Sequence, residues 1–424
     1  MHDTPNFNYQ EARFSIMPLK ISVMLKLKLV SAFFLAFLVH VFSLAAFAQP
    51  ASDGALVIAD DLRIVADSAT KTRLIVSMSG VVEAKTFVIE RPDRVVIELP
   101  EVGFHLGEDK GRRKLGLVSA VRYGLFAPGR SRMVVELAQP ATVARIAAEV
   151  KPDGQADLVI ELTRVERETF HRAALADALA NATRPTPSAT HLAPSADTRP
   201  LIMIDPGHGG IDPGAKAGET LEKDIVFSFA RTLKELLDKE GKYRVHLTRD
   251  QDVFVSLGER VNMARAAKAD LFISIHADTI SSSQVRGLTV YTGSERATDA
   301  ESARLAEKEN EADAVGGIEV SQAPEGIADI LQELTLRETR SFSNRLALTV
   351  VSNLNKIMPL NKNPHREAGF RVLRAPDVPS VLMELGYMSS RQDIDLLLSQ
   401  EWRDKSAEAL AKALDQYFVA RPGN

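Results

Sequence analysis

The spacing of hydrophobic positions changes along the chain, and the changes divide it. After an apolar run from Leu29 to Ala45, the stretch from Ala55 to about Val165 falls into short β-branched runs, several with polar residues at alternate positions. These are Arg73–Ser79, Ala84–Glu90, Arg94–Leu99, Ser131–Leu137 and Asp157–Leu162, punctuated by Pro92-Asp93, Pro128-Gly129 and Pro152-Asp153-Gly154. Short strands between turn signals predict an all-β sandwich. From Leu201 onward strands and helices alternate. Strands are expected at Leu201–Ile204, Tyr243–Thr248, Leu271–Ile275, Gly287–Tyr291 and Ser380–Leu385. Helices are expected at Glu222–Lys239, Leu257–Ala267, Ser341–Ile357 and Asp404–Phe418. The central strands are continuously apolar, as strands buried on both faces are, so this region predicts an α/β domain with a mostly parallel wound sheet.

Between the two regions, Phe170–Ala182 reads as a short helix. Pro185, Pro187, Pro194 and Pro200 then punctuate an extended linker, which sets the domain boundary near residue 199. Within the α/β region, residues of about 292–340 form a longer insert than a connection requires. Its first part, Glu301–Asp313, predicts a helix with Ser302, Leu305, Ala306, Glu309 and Ala312 on one face. That spacing puts the Glu309 carboxylate on the least polar stripe, with Glu307 and Glu311 as the neighbouring alternatives. A second helix is expected over Pro324–Arg340, with Ile327, Ile330, Leu331 and Leu334 aligned. The pair is either a surface hairpin packed on the sheet or a lid over a site.

Composition narrows the chemistry. The chain of 424 residues has room for two or three domains, and 45% hydrophobic with 25% charged residues is ordinary for globular proteins. A net charge of -4 gives no general attraction to nucleic acid. The absence of cysteine excludes disulfides and thiolate chemistry, so any metal must be held by His, Asp or Glu. Lys26 and Lys28, the apolar run and Ala46-Phe47-Ala48 follow the order of a secretory signal peptide, residues 1–48, with cleavage expected after Ala48 and no permanent membrane span thereafter. A retained anchor is the alternative. Met17 and Met24 offer later starts. In the β region, Arg112, Arg113, Lys114, Arg122, Arg130 and Arg132 form a loose basic set that either meets an anionic polymer or is simply solvated.

Candidate chemistry gathers at strand ends. His208 follows the first α/β strand in a turn containing Gly207, Gly209 and Gly210, His276 ends the Leu271–Ile275 strand, and Glu384 lies near the end of the Ser380–Leu385 strand. In wound α/β sheets the carboxyl ends of the strands form the site crevice, and Glu222 opens the next helix within reach of that edge. Two histidines and a carboxylate form a common zinc set, with His208, Glu222 and His276 as ligands. Glu384 would be the carboxylate that moves protons. His246 lies within a strand, His365 in a loop and His40 in the signal, so none joins the set.

The segments Asp205–Gly210, Leu221–Asp224, Leu247–Asp250, Ser274–Asp278 and Met383–Tyr387 together resemble the zinc-dependent N-acetylmuramoyl-L-alanine amidases of the AmiA, AmiB and AmiC group, over about residues 200–420. The resemblance implies one zinc ion on His208, Glu222 and His276, with Glu384 catalytic. It implies hydrolysis of the amide joining N-acetylmuramic acid to L-alanine in peptidoglycan. It also implies an autoinhibitory helix, with Glu309 contacting the zinc until an activator of the LytM-domain type, EnvC- or NlpD-like, draws the helix away. Residues 55–165, with Glu90–Ile97, resemble the AMIN domain that targets such enzymes to the wall, often at the division site. A zinc peptidase acting on stem peptides and a non-catalytic wall-binding adaptor remain the alternative functions.

Overall fold

The computed structural model describes residues 56–106, 110–112, 114–182, 197–318 and 330–420. The expected signal segment, Arg113, most of the proline-rich linker and the start of the Pro324–Arg340 helix lie outside these residues, as do the side chains of Ile327, Ile330, Leu331 and Leu334.

The β region is a two-sheet sandwich. Its strands are β1 (Val57–Ser68), β2 (Lys71–Met78), β3 (Lys85–Ile89), β4 (Arg94–Pro100), β5 (Val102–Phe104), β6 (Val118–Ala127), β7 (Arg130–Leu137), β8 (Ala141–Val150) and β9 (Ala156–Arg164). One sheet runs β5-β1-β2-β9-β8 and the other β3-β4-β7-β6. Alternation does the folding: Leu74, Val76 and Met78 point inward from β2, against Val95, Ile97, Met133 and Val135 of the facing sheet. Helix α1 (Arg167–Ala182) adds Phe170 to this core. Strands β1, β6 and β8 go beyond the sequence expectation. The Ala-rich run of β8 favours helix locally, yet it pairs with β9 along its length, so tertiary pairing overrides propensity.

The α/β region begins with β10 (Leu201–Pro206) and the short hairpin β11 (Lys216–Ala217) and β12 (Thr220–Leu221), followed by α2 (Glu222–Glu240), β13 (Arg244–Leu247), α3 (Leu257–Ala266), β14 (Leu271–His276) and β15 (Leu288–Gly293). It continues through α4 (Ala300–Asn310), α5 (Ala312–Val315), α6 (Ile330–Leu354), β16 (Leu360–Ala368), β17 (Ser380–Glu384), α7 (Arg391–Leu397) and α8 (Gln400–Val419). The six-stranded sheet has the order β13-β10-β14-β17-β15-β16, parallel except where β15 meets β17. Residues of α2, α6 and α8 cover one face, while α3 and α4 contribute to the other. Two expectations are corrected. The helices expected at Pro324–Arg340 and Ser341–Ile357 are, where described, one continuous helix α6, because no breaker separates Arg340 from Ser341. His365, expected in a loop, lies on a strand: polar, proline-containing Leu360–Ala368 pairs at the sheet edge, where an unpaired side tolerates proline.

Parallel pairing brings the carboxyl ends of β10, β14 and β17 to one edge, with His276 directly opposite Glu384 in register. The turn after β10 is fixed from below by buried charge. Asp205 accepts hydrogen bonds from Arg260 Nη1, Thr248 Oγ1 and Ser274 Oγ, each at 2.6 Å. Arg260 also donates to the carbonyls of Pro206 (2.9 Å) and His208 (2.8 Å). Arg249 donates to the carbonyls of Pro206 and Gly207, both at 3.0 Å. Two arginines thus satisfy carbonyls that a glycine-rich turn cannot pair within itself. The sandwich reaches the same turn, where Ile211 packs with Ile89, Val96, Val134 and Phe254; nearby, Phe126 stacks on Phe254 with centroids 5.7 Å apart, and Arg132 donates to Gly316 O at 2.6 Å.

Asp205→Ala would leave Arg260 as an unpaired buried charge, at a cost of about 3–5 kcal/mol. Denaturant unfolding of the α/β region should show that loss. A change below about 1 kcal/mol would mean that the pair does not anchor the turn.

Candidate metal centre

His208 is held in the left-handed backbone region, at φ 57°, uncommon for a residue with a side chain. The conformation costs on the order of 1–3 kcal/mol and is sustained by the arginine-bonded carbonyls around it. It directs the ring across the sheet edge towards His276, with ring centroids 4.9 Å apart. Gly207 permits the approach: a Cβ there would lie 2.5 Å from the His276 ring. Gly214, at φ 68°, is doubly required, since a Cβ would also lie 2.6 Å from His208 Cδ2 and 2.7 Å from Glu222 Oε2.

Glu222, the first residue of α2, is fully buried and fixed by two backbone amides: Ala215 N–H donates to Oε2 and Ala277 N–H to Oε1, each at 2.8 Å. Its oxygens lie 3.1 Å from His208 Nε2 and 3.2 Å from His276 Nδ1. Glu309 Oε2, from α4, lies 3.6 and 3.2 Å from the same two nitrogens. Among the described residues neither nitrogen has a hydrogen-bond partner, although both are buried. Buried polar atoms without partners are rare, and two that converge on the same carboxylates have the geometry of ligand lone pairs. Ligand atoms of His208, Glu222 and His276 all fall within 4.8 Å of one another. A set of two imidazoles and one carboxylate, with a fourth direction filled by Glu309, fits tetrahedral zinc.

The supporting residues include one that sequence reasoning missed. His208 Nδ1 donates to Asp212 Oδ2 at 2.8 Å, which leaves Nε2 as the free lone pair, and Asp212 Oδ1 accepts from Gly214 N at 3.1 Å. An acid four residues after the histidine in a glycine-rich turn was the available signal, but it reads equally well as turn chemistry. Glu384 is also fully buried. Its Oε2 accepts from Asp278 N at 2.9 Å, and Oε1 has no partner among the described residues.

Burial works against charge on His208, yet the carboxylates of Glu222, Asp212 and Glu309 raise its pKa well above that of a free histidine. Burial pushes Glu309 up to about 7 against the pull of both histidines. Burial, with the charges of Asp278 and Glu222, holds Glu384 well above the ordinary carboxyl range. That is the direction a proton-transferring carboxyl requires.

Of the insert acids, Glu309 is buried with Ser302, Leu305 and Ala306, as the helical spacing indicates, while Glu307 and Glu311 are exposed. His246 lies on β13, away from this edge, and His365 Nε2 contacts Thr292 at 3.2 Å. The basic set of the sandwich is divided. Arg132 is buried and pairs with Glu98 at 2.6 Å, Arg122 pairs with Glu136 at 3.0 Å, and Arg130 stacks over Phe126 at 5.5 Å from its centroid. Lys114 is exposed, and Arg112 has no described side chain.

A family model described as N-acetylmuramoyl-L-alanine amidase matches residues 202–416, and the AMIN domain model matches residues 61–162. The chain is 33% identical over 375 residues to the N-acetylmuramoyl-L-alanine amidase AmiC of Neisseria meningitidis, covering 83% of this chain and 88% of that protein. It is 32% identical over 370 residues to AmiC of Escherichia coli, with the same coverage. To AmiA of Salmonella typhimurium it is 34% identical over 220 residues, 51% of this chain and 76% of that protein.

If Asp212 fixes the tautomer of a ligand, Asp212→Asn should weaken zinc binding about 10–100-fold, measured by competition with a chromophoric chelator. Unchanged affinity in a folded variant would remove Asp212 from the centre.

Proposed function

The chain belongs to the N-acetylmuramoyl-L-alanine amidase family, and on that premise we propose that it is an exported zinc hydrolase, cutting the amide between N-acetylmuramic acid and L-alanine in peptidoglycan during separation of daughter-cell walls. The observation that carries this reading is the convergence on Glu222 of two buried histidine nitrogens that have no hydrogen-bond partner among the described residues, opposite Glu384 across a strand pair. His208, Glu222 and His276 would hold the ion. Zinc bound there would supply Lewis acidity and lower the pKa of a water towards ~7. Glu384 accepts the proton of the attacking water and returns it to the leaving nitrogen. Its burial and the Asp278 N–H bond keep it oriented for both steps.

The same reading divides the chain into a signal peptide (1–48), a wall-targeting β domain (55–165), a helix and linker (166–199) and a catalytic domain (200–420), and places the mature protein in the periplasm. Among the described residues no helix is long and apolar enough to cross a membrane. The position of Glu309 supports autoinhibition: α4 delivers a buried carboxylate to the direction that water and substrate would use. Release then requires a partner that draws α4 away, and an activator of the LytM-domain type, EnvC- or NlpD-like, fits that role.

On dye-labelled sacculi, Glu384→Gln should lower turnover about 10²–10⁴-fold while retaining zinc. Chelation should abolish dye release and zinc should restore it. Release of lactyl-ended glycan that survives both treatments would contradict the mechanism. Glu309→Ala should raise the activity of the isolated protein by at least about tenfold, equivalent to about 1.4 kcal/mol of lost inhibition. A variant as silent as its parent would count against the block.

A further inference from the structure

Glu309 is not the only residue of α4 that enters the site. Its neighbour Lys308 forms an ion pair with Asp278 Oδ1, while its Nζ lies 3.4 Å from Thr279 Oγ1. Asp278 is fully buried, whereas Lys308 lies half-exposed along the mouth of the site. Asp278 Oδ2 has no hydrogen-bond partner among the described residues, and the Asp278 N–H holds Glu384. Consecutive residues therefore set a carboxylate against the histidine pair and an ammonium beside the carboxylate of Asp278, the residue whose backbone N–H holds Glu384. A small cavity of about 120 Å³, lined by Thr279, Ile280, Ser281, Leu305 and Lys308 among others, opens beside this pair.

Those two groups are the two ends left by amide hydrolysis. Water adds its oxygen to the carbonyl carbon as the carbon–nitrogen bond breaks. Both of its hydrogens finish on the leaving nitrogen, giving a carboxylate and an alkylammonium. We propose that Lys308 and Glu309 together imitate the cleaved product, and that Asp278 is the substrate-contacting residue that receives the leaving ammonium of the L-alanine residue. Lys308 marks the place of that ammonium, beside the Thr279–Ser281 wall that remains when α4 leaves. The physical reason is charge: when α4 withdraws, Asp278 loses the cation that pairs with it, and a buried carboxylate is stabilised by the next cation able to reach it. Asp278 would thus favour the bond-broken state over the intact, neutral amide.

This inference rests on the amidase reading, but it is tested by binding rather than turnover. In the full chain, Lys308→Met/Glu309→Ala should bind the dipeptide L-alanyl-γ-D-glutamate at least about fivefold more tightly than its N-acetylated form by titration calorimetry. Adding Asp278→Asn should erase the difference. Equal affinities in the opened protein, or a preference that survives Asp278→Asn, would overturn the assignment. Should Asp278→Asn fail to fold, the parent and the opened protein decide: with α4 and Lys308 in place the parent should show no preference, and Lys308→Met/Glu309→Ala should create one. A preference of equal size in both would again overturn the assignment. Sacculus hydrolysis by Lys308→Met/Glu309→Ala without an ammonium preference would reject this proposal alone, whereas an ammonium preference in that variant without any zinc-dependent hydrolysis of sacculi would reject the amidase reading.

Discussion

Five buried carboxylates, Asp212, Glu222, Asp278, Glu309 and Glu384, crowd the carboxyl edge of one sheet, and the structure is arranged around what makes that tolerable. Like charges in a dry site repel strongly, and each unpaired one costs several kcal/mol. Asp212 is answered by His208, Glu222 by two backbone amides, and Asp278 by Lys308. What remains, two imidazole nitrogens facing Glu222 and Glu309, is the environment that a divalent cation stabilises best. In this reading the resting state is held shut by electrostatics: α4 docks because it carries a carboxylate to the cation site and an ammonium to an acid.

The glycine turn can hold His208 in a strained conformation only because Arg249 and Arg260 bond its carbonyls from the protein interior, with Asp205 balancing Arg260. The β sandwich leans on both ends of this arrangement. Leu125 O accepts from Phe254 N at 3.3 Å next to the turn, and Arg132 holds the carbonyl of Gly316, just beyond α5. The AMIN domain so placed touches both the scaffold of the candidate metal site and the end of the α4–α5 segment beside it.

Much of this was legible in the sequence, for definite reasons. Strands β10, β14 and β17 announce themselves as apolar runs, and a polar residue ending such a run must lie at the sheet's functional edge, which is why His208, His276 and Glu384 could be placed near one another. The stripe Ser302, Leu305, Ala306 and Glu309 was legible because a helix has only one buried face. Less was legible where context decides. β8 has helix-forming composition, β16 carries proline and charge, and α6 joins two stretches that seemed separate. Asp212 is equally compatible with turn chemistry and Lys308 with a solvated helix face, since no periodicity reports which acid waits across the cleft.

The central claim is that α4 completes the coordination of a zinc ion with Glu309. Its most direct test is a crystal structure of the zinc-loaded full chain, with the metal located by anomalous scattering. The account predicts one ion bound by His208 Nε2, His276 Nδ1, Glu222 and Glu309, each at about 2.0–2.2 Å. An ion bound by the first three with Glu309 turned away and α4 undocked, or an ion bound elsewhere, would contradict it.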